Sequence, residues 1–173
     1  MKRIFLLGYM GAGKTTVGKV LSKRMNLSFI DLDYYIEGRY HKKIRDLFAE
    51  KGESAFREIE QRMLHEVSTF EDVIISTGGG TPCFFDNMDF MLQTGTTVYL
   101  KVSVDELANR LEINKHSRPV LKDRDGDELK QFIADNLEKR KSFYERSHII
   151  FDAEKMMTEL DIENISEDLM KLL

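Results

Sequence analysis

Residues Gly8-Tyr9-Met10-Gly11-Ala12-Gly13-Lys14-Thr15 spell G-x-x-x-x-G-K-[ST], a pattern in which nearly every position has a mechanical duty. Ile4-Phe5-Leu6-Leu7 runs directly into it and reads as a buried strand, while Val17, Val20, Leu21 and Met25 follow at helical spacing. Strand, glycine loop and helix in that order commit the chain to a sheet whose strand ends face helix N-termini. The glycines let the backbone curl so that successive N–H groups face an anion, and the helix N-terminus adds partial positive charge. The pattern predicts a bound nucleoside triphosphate. Lys14 is expected to reach its β- and γ-phosphates, and the Thr15 hydroxyl to ligate Mg²⁺. A glycine-rich turn without a ligand is the plain alternative, and both flanks count against it.

The chain has 173 residues, room for one well-buried α/β domain and too few for two. Its net charge of −4 gives no general attraction to nucleic acid or to an anionic membrane. Apolar runs are a few residues long, far short of the ~20 that span a bilayer. Met1-Lys2-Arg3 leads at once into the first strand, without a secretory leader. One cysteine, Cys83, cannot form an internal disulfide and fits a reducing cytoplasm. A cytoplasmic monomer with small-molecule partners, no nucleic acid and no membrane is expected.

Strand signals fall near 3–7, 28–31, 73–76, 97–101 and 148–151. Helix signals fall near 14–25, 33–40, 44–51, 53–69, 86–94, 103–111, 126–145 and 158–172. Phe56, Ile59, Met63, Leu64 and Val67 form an apolar stripe on the fourth of these helices, and Ser103-Val104-Asp105-Glu106 has capping-box spacing. Strands separated by helices predict a five-stranded parallel sheet covered on both faces, a three-layer α/β/α arrangement. Ligands in such a sheet sit beyond the carboxyl ends of the strands, which gathers the loops 8–15, 31–33 and 77–81 on one rim.

Asp31-Leu32-Asp33 closes the second strand. On an extended chain both carboxylates point the same way, so one can hold Mg²⁺ through water and the other can orient or deprotonate a substrate hydroxyl. The alternative is a pair of helix N-cap residues. Thr77-Gly78-Gly79-Gly80-Thr81 ends the third strand; three glycines there cost backbone entropy and suit a ligand that approaches the main chain closely, or else a tight turn. Arg57, off the apolar stripe, and Arg118 and Arg140 are suited to carboxylate or phosphate recognition. A solvated side chain is the usual state of a surface arginine, and chemistry alone does not select these three from 26 basic residues. The four histidines have no ligand spacing, so no zinc site is indicated.

Together these pieces resemble the shikimate kinase family of P-loop kinases. The likeness is collinear over roughly residues 3–145. It rests on G-x-x-G-x-G-K-[ST]-T at 8–16, D-x-D-x-x-I-E at 31–37, F-R-x-x-E at 56–60, T-G-G-G at 77–80, V-Y-L at 98–100, R-P-x-L at 118–121 and R-x-x-x-Y at 140–144. The resemblance implies transfer of the γ-phosphoryl group of ATP to the 3-hydroxyl of shikimate, with Mg²⁺, on a P-loop kinase fold. It implies nucleotide contacts from Gly11, Ala12, Gly13, Lys14, Thr15, Thr16, Arg110 and Arg118. Thr15 and Asp31 are implied to hold the metal, and Lys14, Asp33 and Arg118 to carry the chemistry. Asp33, Arg57, Gly78, Gly79, Gly80 and Arg140 are implied to bind shikimate. It further implies a shikimate-binding helical segment at about 33–61 and a mobile lid at about 112–125. The apolar loop Thr81-Pro82-Cys83-Phe84-Phe85 departs from the family pattern, as does Ser142, where a proline is common. A related kinase for another polyol acid, such as gluconate, and a nucleotide-dependent switch are the rival readings.

Overall fold

A computed structural model describes residues 2–113 and 124–173. The chain forms β1 (Arg3–Leu7), α1 (Lys14–Met25), β2 (Ser28–Asp31), α2 (Leu32–Tyr40), α3 (Ile44–Val67), β3 (Val73–Ser76), a 3-10 turn at Thr81–Cys83, α4 (Asn87–Thr94), β4 (Thr96–Lys101), α5 (Val104–Ile113), α6 (Gly126–Tyr144), β5 (Ile149–Asp152) and α7 (Glu159–Leu172). The strands lie in the order β2-β3-β1-β4-β5 and all neighbours are parallel. The expected five-stranded sheet and each expected strand are therefore present, with ends moved by a residue at most.

β1 occupies the centre because all four of its apolar residues are inaccessible to water. Its alternating side chains divide between two cores. Ile4 and Leu6 pack with Val17, Leu21, Leu107 and Leu169 on one face. Phe5 and Leu7 pack with Leu32, Ile36, Ile59 and Met63 on the other. Burying each such side chain contributes about 1.5–3 kcal/mol, so the two-sided core fixes the register of β1 with both neighbours.

α3 carries a break at Gly52, whose φ of 78° and ψ of 169° are not helical. A Cβ there would meet nothing, so the glycine serves the left-handed backbone rather than close packing. The expected division into two helical segments at Gly52 is thus right, but the second ends at Val67 rather than at 69. The capping box expected at Ser103 forms only in half. Glu106 N donates to Ser103 Oγ at 3.2 Å, but the Glu106 carboxylate turns to Arg110 and Ser103 N donates instead to Glu154 Oε2. The complete box lies at the start of α7, between Thr158 and Asp161.

β1 connects to β2 on one side of itself, and the chain later crosses from β3 to β4 on its other side. This reversal sets the crevice at the carboxyl ends of β1, β2 and β3, where loops 8–13 and 77–80 and the start of α2 converge.

Candidate functional site

The P-loop wraps the N-terminus of α1, with positive φ at Gly8, Gly11 and Gly13. Ala12 N donates to Tyr9 O at 3.1 Å and Val17 N to Gly13 O at 2.9 Å, closing the loop onto the helix. Lys14 extends back along the loop, its Nζ donating to Gly8 O at 2.8 Å and Tyr9 O at 3.1 Å. Thr16 stands exposed in the first turn of α1. No acidic residue belongs to that turn, so the helix's own side chains do not oppose a polyanion.

Asp31 and Asp33 reach this rim differently from the extended geometry expected of them. The chain turns into α2 immediately after Asp31, which becomes the helix N-cap. Asp31 Oδ1 accepts from Asp33 N at 3.1 Å and Tyr34 N at 3.4 Å, while Oδ2 accepts from Thr15 Oγ1 at 2.6 Å. Capping and proximity to the P-loop are thus one arrangement rather than alternatives. Asp33 sits within the first turn of α2 and opens into the crevice. Its own surface is exposed, but protein crowds the carboxyl from behind. That loss of bulk water, followed by Asp31 and Glu60, pushes its pKa up to about 6 against the opposing pull of Lys14.

The triple glycine lies where these groups converge. A Cβ on Gly78 would stand 3.2 Å from Asp33 Oδ1 and 3.0 Å from Glu60 Oε1. On Gly79 it would stand 3.1 Å from Arg140 Nη1, and on Gly80 only 2.6 Å from Arg57 Nη2. Three consecutive positions without side chains therefore give four charged groups access to one stretch of backbone. Thr81 N to Gly78 O at 3.1 Å and Cys83 N to Gly80 O at 2.9 Å hold that stretch in place. The tight turn and the close approach coexist.

Arg57 is not a solvated side chain. It is 9% exposed, its Nη1 donates to Glu60 Oε2 at 2.7 Å and its Nη2 to Glu53 Oε1 at 3.4 Å. The guanidinium lies over Phe84, with Cζ 4.2 Å from the ring centroid, and near the rings of Phe56 and Phe48 at 5.4 and 5.7 Å. Arg57, Glu53, Ser54, Phe84 and Phe85 line an open surface pocket of about 460 Å³. Arg140 lies over the Tyr9 ring, and the neighbouring Tyr144 hydroxyl donates to Gly79 O. Burial raises the Tyr144 pKa, so this hydroxyl stays protonated as a donor. Burial likewise pushes the Cys83 thiol up to about 11, which leaves it unreactive.

Arg110 ties the P-loop to the segment after β5. Its Nη1 donates to Gly11 O at 3.3 Å, and its Nη2 to Ala153 O at 2.9 Å and Glu154 O at 2.8 Å. Met156 of the same segment covers the loop, since a Cβ on Gly13 would lie 2.0 Å from its Cε. Arg118 and residues 114–123 of the lid expected at about 112–125 lie outside the described residues.

Glu60 is the residue that the sequence reading passed over as a site member. It is 1% exposed and pairs with Arg57 Nη1 and with Thr81 Oγ1 at 2.6 Å. The signal was present: Glu60 stands four residues after Phe56 and three before Met63, a carboxylate in the buried register of α3. A charge there requires a partner, and Arg57 stands three residues earlier on the same helix.

A family profile described as shikimate kinase matches residues 10–170. A shikimate kinase of Parabacteroides distasonis is 70% identical over 173 residues, covering 100% of both chains. The crystal structure of shikimate kinase from Bacteroides thetaiotaomicron superposes with a TM-score of 0.96 at 53% identity, covering 99% of this chain and 97% of that one. Shikimate kinase from Acinetobacter baumannii, solved in complex with shikimate, gives a TM-score of 0.87 at 30% identity over 99% of this chain and 92% of its own.

Proposed function

This chain belongs to the shikimate kinase family, and we propose that its crevice transfers the γ-phosphoryl group of ATP to the 3-hydroxyl of shikimate, with the residues described above in the following roles. That it phosphorylates shikimate at the expense of ATP follows from the family and its high-identity relatives; the roles of individual residues are our reading. The observation that carries the reading is the triple glycine, whose three positions face Asp33, Arg140 and Arg57 beside the P-loop.

The amides of Gly11, Ala12, Gly13, Lys14, Thr15 and Thr16 cradle the phosphates at the N-terminus of α1. Lys14 exchanges its loop carbonyls for the β,γ-phosphates, and Arg110 supports the nucleotide from the side of Gly11. Thr15 and Asp31 fit a Mg²⁺ ion: their oxygens are hard donors already 2.6 Å apart, and one carboxylate is a usual protein share for this metal. When bound, the ion neutralises charge on the β- and γ-oxygens.

Arg57 and Arg140 hold the carboxylate of shikimate, and the backbone of Gly78, Gly79 and Gly80 forms the wall against its ring. Asp33 accepts a hydrogen bond from the attacking hydroxyl. As the new O–P bond forms and the bond to the β,γ-bridging oxygen breaks, the hydroxyl proton passes to Asp33 and the leaving charge to ADP. Arg118 adds positive charge to the transferred group, and the lid at about 112–125 excludes water that would otherwise accept the phosphoryl group. A single domain acting as a cytoplasmic monomer completes the reading, and its lone Cys83 fits a reducing compartment.

A coupled ADP-release assay with Mg-ATP tests it, run with shikimate, with gluconate and with no acceptor. Turnover that depends on shikimate is the expected result. Turnover with gluconate alone would overturn the acceptor pocket, and acceptor-independent ADP release would overturn the kinase roles altogether.

A further inference from the structure

Tyr9, the second residue of the P-loop, has no part in the chemistry above, yet it is almost completely enclosed. It is 1% exposed, and its hydroxyl has no hydrogen-bond partner among the described residues. A buried hydroxyl without a partner is a net cost to folding, so the hydroxyl does not account for the placement of this side chain. The face of the ring, unlike the hydroxyl, has a partner. That face is occupied by Arg140, whose Cζ lies 5.3 Å from the Tyr9 ring centroid, inside the ~6 Å reach of a cation–π contact. Arg140 also borders glycine backbone: the Cβ position of Gly79 is 3.1 Å from Arg140 Nη1 and 3.6 Å from both Gly8 O and Met10 N. The guanidinium thus lies against both the P-loop ring and the acceptor wall. The backbone of Tyr9 is engaged with the phosphate side at the same time, because its carbonyl accepts from Lys14 Nζ at 3.1 Å and from Ala12 N at 3.1 Å.

We propose that Tyr9 is a positioning residue that couples the two substrate sites, its ring setting the position of Arg140 relative to the loop whose Lys14 grips the phosphates. The inference rests on the reading of Arg140 as a ligand of the acceptor carboxylate. Burial raises the Tyr9 pKa, which keeps the ring neutral and its π face intact. In-line transfer depends on the relative placement of donor and acceptor, and small displacements are costly. A ring borne by one site and set against the arginine of the other links the two placements.

The test replaces Tyr9 by phenylalanine and by phenylalanines carrying one, two and three ring fluorines. Shape is kept while the negative potential of the ring face falls stepwise. Relative to Tyr9→Phe, KM for shikimate should climb with each fluorine to about 5-fold in total, the size of an exposed-to-partly-buried cation–π contact. KM for Mg-ATP should stay within about 2-fold, and the trend should vanish in an Arg140→Met background. Melting temperatures across the series report whether packing has changed. A flat KM for shikimate across the series, with Arg140→Met still raising it, overturns the role of Tyr9 alone. If Arg140→Met leaves KM for shikimate unchanged, the assignment of Arg140 falls and takes this inference with it.

Discussion

The hydroxyl of Thr15 donates to Oδ2 of Asp31 across 2.6 Å, which ties the first turn of α1 to the last residue of β2. Because Oδ1 of the same carboxylate caps α2, substitutions can separate the metal role from the structural one. Asparagine caps a helix as well as aspartate, so Asp31→Asn should melt near the wild-type temperature. It should nonetheless require more Mg²⁺ and lose about 10- to 100-fold in kcat/KM for ATP, the usual effect of losing a metal-supporting group. Asp31→Ala should show the same kinetic defect and an added stability loss of about 1 kcal/mol from the missing cap. A Mg²⁺ titration of activity decides the matter; an unchanged curve for Asp31→Asn would remove the residue from the metal site.

Asp33 gives two pH signatures with a defined sign. Its pKa lies at about 6, against 3.8 for an unperturbed aspartic acid. As a base it must be ionised, so kcat/KM for shikimate should rise with pH to a plateau above about 6. Asp33→Asn should lose this limb and about 10²- to 10⁴-fold in kcat. The stability effect runs the other way. Since the folded-state pKa is raised, the native protein holds the extra proton between about pH 4 and 6, and stability declines as pH climbs through that window. Asp33→Asn should therefore melt above wild type at about pH 7.5, with the gap closing near pH 4. Near-normal turnover would refute the catalytic role, and an unchanged gap across pH would refute the titration.

What the sequence discloses and what it hides follow from the kind of constraint at each position. The P-loop, the strands and the triple glycine depend on residue types that few other residues can replace, and each is found where its pattern indicates. Asp31 and Asp33 both lie at the rim but not in the extended conformation expected of them, because Leu32 is buried in the core and the chain enters α2 one residue early. Arg57 is hidden for another reason: its burial is made by Phe48 and Phe84, which lie outside its own helical stripe and reach it only through the fold. Arg110 is similar, since its partners Gly11, Ala153 and Glu154 are far apart in sequence.

The Arg57–Glu60 pair separates stability from binding. Removing one member strands a buried charge, so Arg57→Ala should destabilise the protein by about 3–5 kcal/mol. It should also raise KM for shikimate strongly while leaving KM for ATP nearly intact. Adding Glu60→Gln neutralises the stranded carboxylate and preserves an acceptor for Thr81 Oγ1, which bonds Glu60 Oε1 at 2.6 Å. The double variant should regain melting temperature without regaining shikimate affinity. Parallel loss of affinity for both substrates in the double variant would withdraw Arg57 from the acceptor pocket.

Gly80→Ala probes the same guanidinium from the opposite side. The backbone of Gly80 has φ −87° and ψ −17°, a conformation alanine adopts freely. The fold is therefore not strained by the substitution itself. The new methyl would lie 2.6 Å from Arg57 Nη2 and 2.9 Å from Nη1, too close for either to remain. Arg57 cannot simply swing away, because Glu60 holds Nη1 and Phe84 covers the guanidinium plane. The conflict is relieved by a displacement of the arginine tip on the order of 1 Å, and misplacement of that size costs up to about 100-fold in rate. Gly80→Ala should thus raise KM for shikimate at least tenfold, a transition-state or binding loss of about 1.4 kcal/mol or more, with KM for ATP little changed. Gly52→Ala is the control, since a Cβ there meets no neighbour and its cost is confined to backbone strain at positive φ. Steady-state kinetics of both variants against each substrate checks the expectation. Wild-type shikimate kinetics in Gly80→Ala would mean that the glycine wall and Arg57 do not share a ligand.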